Sequence, residues 1–515
     1  MPRTVEPRVA LLLGLLILLL FCVWEGRHAT GVTYAPYASD SDEGIYTLSA
    51  LLLVKGHALF GDVFSSQPAL FLPSLAVALR LVDDPLTAGH LYQALWGAVA
   101  LIGVYWLAWD AYRPLAGPLA AALLAVTPGF LLYAHAVVAE TPMLGLCVLA
   151  VAVAQAYYRL PRRRTVALAG VLLAAGTEMK LLLVAVVPPL ALLLLGGAWR
   201  GRRAGRSRAA LAADAGTFVL ASVAPILLVL AVVAPADQVR QVFLFHLAAS
   251  RALPLDPALN WDHLGGFLSR YDPGLLVLAG GGAVVGLRRA RDRYLPLVYA
   301  LWALAQFIFL LRYHPLAQHQ FLPLLPPLAL LGAALVTGLE RAPGPSTGGR
   351  IAASLFARQA ANADHGRRRD RGRFARWWQA LVVAVYAALL CVRALPADAS
   401  LFVRESMPQR AALSALLDRV TRSGDLVVCD DPMVALGARR LAPPGLEDLS
   451  LVRAAAGYLT ASKAIAATRR YRPAAIVLSH PPQAALPPAY VSWVARRYRR
   501  VPSPVPGAQV YLLRR

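Results

Sequence analysis

The chain has 515 residues, 58% of them hydrophobic and 15% charged, with a mean hydropathy of +0.56 and a formal net charge of +23. A soluble globular protein carries about 25% charged residues, and the apolar residues here gather into runs near the ~20 that cross a hydrocarbon core of ~30 Å; composition excludes an ordinary soluble domain. The arginines lie in short loops between those runs, where the positive-inside effect puts them, so the excess charge does not point to nucleic acid.

The first apolar run, 8–24, follows Arg3 and Arg8 and lacks an A-x-A-like cleavage site directly after it. It reads as a retained first helix with its N-terminus in the cytoplasm. Residues 25–88 form a mostly polar stretch with seven acidic and three basic residues, in which 69–82 is apolar but short and holds Pro73. That segment reads as interfacial or re-entrant, since 10–14 apolar residues seldom span. Further runs lie at 89–109, 115–134, 138–158, 166–179, 181–198, 214–235, 273–287, 294–312, 321–339 and 377–395, eleven with the first. The loops 159–164, 199–208, 288–293 and 340–376 hold four, five, four and nine arginines and fall on one side. Loops 25–88, 135–137, 236–272 and 313–320 fall on the other. Counting 69–82 as a span would invert this order and put the arginines outside.

Residues 1–340 are expected to form the transmembrane region, 341–376 a basic cytoplasmic loop, 377–395 the last span and 396–515 a soluble extracytoplasmic domain. In the last of these, 425–430 and 474–479 are short buried-strand patterns, with helical periodicity at 408–421 and 459–470, which predicts a small α/β fold. Four cysteines, Cys22, Cys147, Cys391 and Cys429, lie far apart and make no disulfide framework or metal motif. No internal repeat is visible, which weighs against an inverted-repeat transporter.

Candidate chemistry begins at Asp42-Glu43-Gly44-Ile45-Tyr46, a few residues beyond the first helix. Adjacent carboxylates near hydrocarbon are costly unless paired or used. Ser41 or Asp42 would also serve as the N-cap of a helix starting at Glu43, a role compatible with catalysis. Glu140 is a second acid on the same side. Lys180, one of only three lysines with Lys55 and Lys463, stands alone between two apolar runs; it is either a phosphate ligand or a snorkelling lysine. Arg312, His314 and His319 lie at another outer boundary, and Asp262 and His263 follow Trp261, itself a candidate interface anchor. No Walker motif, dinucleotide fingerprint, H-E-x-x-H or C-x-x-C occurs, so nothing points to a nucleotide-driven reaction.

Read in order, Asp42-Glu43-Gly44-Ile45-Tyr46, then Gly61-Asp62-Val63-Phe64-Ser65-Ser66-Gln67-Pro68, then the stretch from Tyr133 through His135 to Glu140, then Gly176-Thr177-Glu178-Met179-Lys180, and lastly Arg312 through His314 and His319 to Pro327, resemble the GT-C superfamily of glycosyltransferases. More narrowly, the chain is similar to the protein O-mannosyltransferases and lipid A aminoarabinose transferases. The resemblance covers about residues 8–340. It departs from the family at Gln67-Pro68-Ala69, where many relatives have Lys-Pro-Pro, and at His135, where relatives have Arg.

The resemblance implies an α-helical polytopic GT-C-like protein in a bacterial-type plasma membrane, with its active site extracytoplasmic. It implies transfer of a monosaccharide from a polyprenyl-phosphate carrier to a lipid, glycan or protein acceptor. Asp42 would be the base or acceptor-orienting carboxylate, with Glu43 and Glu140 as companion acids. Lys180 would hold the leaving phosphate, with Gln67, His135, Arg312, His314, His319, Asp262 and His263 as candidate substrate ligands. No cofactor is demanded, although a divalent cation is admitted. Two rivals stand beside it: a transporter or flippase of lipid-linked sugars, which would not need the Asp42–Glu43 pair, and a non-catalytic envelope-assembly protein working through its tail.

Overall fold

In a computed structural model of the chain, residues 5–29, 42–271, 273–290, 292–335, 408–479 and 484–514 are described. The expected basic loop at 341–376 and last span at 377–395 lie outside the described residues, as does the start of the acidic motif before Asp42.

The described membrane region is helical: α1 (Val5–His28), α2 (Asp42–Val54), α3 (Phe71–Ala78), α4 (Pro85–Ala111), α5 (Ala116–Ala125), α6 (Pro128–His135), α7 (Glu140–Arg159) and α8 (Arg163–Met179). It continues with α9 (Val187–Arg203), α10 (Arg208–Val232), α11 (Pro235–Gln238), α12 (Phe245–Ala252), α13 (Pro257–Tyr271), α14 (Pro273–Arg289), α15 (Tyr294–Arg312) and α16 (Leu325–Ala333). Start signals are visible in the chain. Asp84 caps α4 by accepting from the Thr87 N–H at 2.9 Å, with Pro85 at the first helical position, and Ser207 caps α10 through the Ala210 N–H.

Among the described residues, five helices (α1 from Pro7, α4, α7, α10 and α15) are long and apolar enough to cross a membrane. They become six when α5 and α6, bent by 70° at their junction, are taken as one broken span. The break has a local cause: Pro128 opens α6, and the residue before a proline is driven to extended backbone, as Thr127 is at ψ 117°. The eleven apolar runs are therefore not eleven uninterrupted helices. α8, α9 and α14 have 17 residues each, and the run at 321–339 begins as a 3-10 helix, Gln318–Leu324, before Leu325–Ala333. The apolar segment at 69–82 holds only the eight-residue α3.

α7 sits at the centre, packed on α4, α8 and α9, and 83% of its apolar window is buried. α1 and α10 are the reverse, with windows 17% and 6% buried. On α10, Val219, Leu220, Leu227, Leu228 and Val232 are all exposed, an apolar face that would be costly in water and is cheap against lipid. Three of the arginine loops, 159–164, 199–208 and 288–293, meet at one end of α7. Arg159 and Arg200 both reach Asp292, at 3.0 and 2.7 Å, and Arg159 also binds Asp110 at 2.9 Å. The first turn of α7 holds Glu140, ~28 Å away for 20 residues at ~1.5 Å each.

The C-terminal segment carries a four-stranded sheet of order β1-β2-β4-β3, formed by β1 (Val427–Cys429), β2 (Ala475–Leu478), β3 (Tyr498–Val501) and β4 (Gln509–Leu513). β1 pairs parallel to β2, Val428 opposite Ile476, and the β2–β4 and β4–β3 pairs are antiparallel. β2 is wholly buried, whereas the edge strand β3 exposes Arg499 and Arg500, charges that discourage a further strand from adding. The segment docks on α2: a Cβ at Gly44 would come within 2.8 Å of Pro432 Cγ and 2.9 Å of Met433 Sδ, so the approach depends on that glycine.

Candidate active site

Helix α2 begins at Asp42, which leaves its side chain 30% exposed, whereas Glu43 is only 2% exposed. Negative charge in a first turn meets the unsatisfied N–H groups and the positive end of the helix dipole. The two carboxylates then part company, because neighbours on an α-helix point about 100° apart.

Asp42 faces polar partners from other segments. The Tyr46 hydroxyl, one turn on, donates to Asp42 Oδ2 at 3.2 Å, and Gln67 Nε2 donates to the Tyr46 oxygen at 3.0 Å. Gln67 is held by its own loop, through Ser65 Oγ to the Gln67 carbonyl and the Gln67 N–H back to Ser65 Oγ. On the other side, His319 Nε2 lies 3.9 Å from Asp42 Oδ2 and 3.2 Å from Glu140 Oε1. Glu140 is completely buried and pairs with Lys180 Nζ at 2.5 Å. Lys180 is 6% exposed and occupies the extended break between α8 and the 3-10 turn Leu181–Val186. A lysine there would be expensive alone; Glu140 and the nearby Asp42 charge offset the cost. Four segments thus bring Asp42, His319, Glu140 and Lys180 into one cluster at the end of the bundle remote from the arginine loops.

Glu43 has a different setting. Its Oε1 lies 2.6 Å from His90 Nε2, while His90 Nδ1 donates to the Ala29 carbonyl at 2.9 Å. The His90 and His135 rings lie tilted against each other with centroids 4.0 Å apart, and His135 Nδ1 contacts Glu25 Oε2 at 3.1 Å. His135 therefore lies behind Glu43, bound to Glu25, rather than among the four clustered side chains.

The remaining candidates are placed elsewhere. His314 is half-buried, and its Nε2 donates to the Ser250 carbonyl at 2.9 Å, tying the outer loop to α12. Arg312 is exposed in the last turn of α15, and Asp262 and His263 are exposed on α13. Trp261 packs edge-on against Phe307. With Leu264, Leu268, Leu324 and Leu328 they line an apolar cavity of about 490 Å³. Among the described residues no group of three or more His, Cys, Asp or Glu side chains is arranged to hold a metal ion. Sequence reasoning missed Tyr46, His90 and Glu25. Tyr46 carried a usable signal, being four residues from Asp42 and so on its face; His90 meets Glu43, and Glu25 meets His135, only through the three-dimensional crossing of α4 with α2 and of α1 with α6.

Residues 66–229 match the family described as dolichyl-phosphate-mannose-protein mannosyltransferase. The fold is similar to that of ArnT from Cupriavidus metallidurans bound to undecaprenyl phosphate, with a TM-score of 0.62 and 16% identity over 97% of both chains. It is also similar to the archaeal oligosaccharyltransferase AglB from Archaeoglobus fulgidus, solved with an inhibitory peptide and a dolichol-phosphate. There the TM-score is 0.51, with 13% identity over 90% of this chain and 69% of that one. Comparison with curated proteins returns no significant match.

Proposed function

For a chain with the GT-C glycosyltransferase fold, we propose transfer of a monosaccharide from a polyprenyl-phosphate carrier to an acceptor on the outer face of a bacterial-type plasma membrane. The observation that carries this reading is the convergence of a half-exposed carboxylate, Asp42, with a buried cation, Lys180, across His319 and Glu140.

The chemistry needs both. An acceptor nucleophile attacks the anomeric carbon while the bond from that carbon to the carrier phosphate breaks, a single displacement that inverts configuration. The nucleophile's proton goes to Asp42, which is exposed enough to meet an acceptor and is aimed by Tyr46 and Gln67. The electron pair of the breaking bond leaves on the phosphate oxygen, and Lys180 stabilises that charge. Glu140 and His319 hold Lys180 in place and separate it from Asp42, so that proton acceptor and phosphate ligand keep distinct positions. The similar structures of ArnT with undecaprenyl phosphate and AglB with dolichol-phosphate support a lipid-linked donor. So does the 490 Å³ apolar cavity lined by Leu324, in the 3-10 helix that presents His319, which suits a prenyl chain. Placing the cluster outside follows from the arginines at the opposite end.

The test supplies membranes holding this chain with radiolabelled polyprenyl-phosphate sugars and identifies the labelled product. Label appearing in a non-prenyl acceptor, and lost in Asp42→Asn, is the expected result. Label crossing the bilayer still attached to its carrier, with no new glycosidic product, would show a flippase instead.

A further inference from the structure

A second cleft lies next to the cluster but shares none of its charged groups. It is a cavity of about 290 Å³ between the loop Phe60–Phe64, the π-helical turn Val239–Leu244 and the C-terminal segment, and it is lined by Arg240, Arg453, Tyr458 and Lys463. Its floor continues directly into Ser65 and Gln67. Gln241 donates to the Phe60 carbonyl at 2.6 Å and accepts from the Ser65 N–H at 3.1 Å.

Three cations face this space, and their balance is incomplete. Arg453 is 6% exposed; it lies over the Phe64 ring at 4.2 Å and gives one nitrogen to the Asp448 carbonyl at 2.6 Å. Its Nε has no hydrogen-bond partner among the described residues, although a buried guanidinium nitrogen normally has one. Partial burial and the charges of Arg240 and Arg453 hold the Lys463 ammonium below its usual pKa. One nearby acid balances Arg240, and the other two are engaged with backbone N–H groups. Asp237 pairs with Arg240 at 2.7 Å, Asp62 accepts from the Ala58 N–H at 3.0 Å, and Glu447 accepts from the Phe64 N–H at 2.9 Å, where burial pushes its pKa up.

We infer that this cleft is an anion subsite that receives a phosphate-type group of the acceptor, held by Arg453, Arg240 and Lys463 and roofed by the C-terminal segment. An oxyanion there relieves the mutual repulsion of the cations that line the cleft, and charge-assisted bonds from guanidinium and ammonium suit phosphate. The subsite explains why the C-terminal segment packs against the 60–67 loop: it completes the acceptor side of the cluster and leaves the donor side to the membrane helices. Assigning the anion to an acceptor rests on the transferase reading; the anion site itself does not.

Lysine chemistry gives a clean test, because the chain has only Lys55, Lys180 and Lys463, and Lys55 is exposed well outside the cleft. Full-length protein in phosphatidylcholine nanodiscs is acetylated with and without inorganic pyrophosphate at constant ionic strength, and each lysine is followed by mass spectrometry. With pyrophosphate about tenfold above its Kd, Lys463 acetylation should slow about tenfold. Lys55 should be unchanged, and Arg240→Gln, an exposed change that leaves the fold intact, should weaken the protection severalfold. Equal slowing of Lys55 and Lys463, or full protection surviving both Arg240→Gln and Arg453→Gln, overturns the proposal. Protection produced by phosphatidylglycerol in the nanodisc, and not by pyrophosphate, assigns the cleft to a bilayer headgroup and overturns the acceptor assignment. In the labelled-sugar assay, pyrophosphate should inhibit transfer and Arg240→Gln should relieve that inhibition. Protected Lys463 with no transfer by the wild type would sink the transferase reading alone; transfer without protection would sink the anion subsite alone.

Discussion

Replacing Asp42 by Asn separates the catalytic role proposed for it from its structural one, because the two carry different magnitudes. Asn keeps the shape and an oxygen to accept from Tyr46, so the 3.2 Å hydrogen bond survives. What is lost in stability is a negative charge in the first turn of α2, worth ~0.3–1 kcal/mol at a surface position and up to ~2 kcal/mol where the group is partly buried, as this 30%-exposed side chain is. What is lost in catalysis is the proton acceptor, a typical cost of ~10²–10⁴ in rate, equivalent to ~2.7–5.4 kcal/mol of barrier at ~1.36 kcal/mol per tenfold. The assay pairs initial rates of sugar transfer at saturating donor with thermal unfolding of the same detergent-purified protein. Expected is a folded variant with nearly the wild-type Tm and turnover down at least about a hundredfold. Near-normal turnover would refute the assignment of Asp42 as base. A dead Glu43→Gln beside an active Asp42→Asn would reverse the two roles.

Further perturbations probe neighbouring contacts. Lys180→Ala should weaken donor binding far more than Lys180→Arg, as read by donor titration, and should also destabilise by ~3–5 kcal/mol because Glu140 stays buried without its cation; equal donor affinities for wild type and Ala would remove Lys180 from the phosphate. His90→Leu, which removes the 2.6 Å partner of Glu43, should cost ~1–3 kcal/mol in thermal stability, and an unchanged Tm would mean that the pair is inert. In a cysteine-free background, Asp62→Cys and Leu316→Cys should react with an impermeant thiol reagent in intact cells, while Ala204→Cys and Asn362→Cys should not; labelling at 204 would invert the threading. Because burial raises the Glu447 pKa above its ordinary 4.5, its stabilising protonated form is fully present below that value and is lost as pH rises through the folded pKa. Docking of the C-terminal segment, followed by limited proteolysis, should therefore loosen with rising pH over that window, and Glu447→Gln should flatten the dependence.

Some of this was legible because the physics is local. Apolar runs located the long helices, and alternating signs of charge grouped the loops that meet at Asp292. The buried-strand patterns at 425–430 and 474–479 coincide with Val427–Cys429 and Ala475–Leu478, since a short β-rich run bounded by turn residues has few other ways to be buried. Helix breaks were not legible from hydropathy, which does not sense the effect of Pro128 on Thr127 or of Pro323 within Gln318–Leu324. Asp42, Glu140, Lys180 and His319 could each be singled out as a polar residue at an apolar boundary. Their convergence could not, because it depends on how α2, α7, the end of α8 and the turn at 318–324 cross. Arg312, Asp262 and His263 had the same boundary signal and lie outside the cluster, so position along a span is only half of the information.

The division of labour within the Asp42–Glu43 pair follows from that crossing. Two adjacent carboxylates could have competed for one proton, each raising the other's hold on it. Here α2 turns Glu43 inward to His90, whose other ring nitrogen meets the Ala29 carbonyl, while Asp42 faces Tyr46 and His319. The Glu43–His90 contact also fixes the rotation of α2 about its axis, because a slip of one residue that put Asp42 against His90 would carry Glu43 into the place of Gly44, where Pro432 and Met433 leave no room for a side chain. The tilted contact of the His90 and His135 rings, together with Glu25, extends that lock to α1 and α6. Substitutions along this inner row should therefore act on the orientation of Asp42, lowering turnover while leaving the donor affinity proposed for Lys180 largely as it was. A loss of donor affinity in His90→Leu equal to its loss of turnover would show that the inner row supports the whole site rather than the base alone.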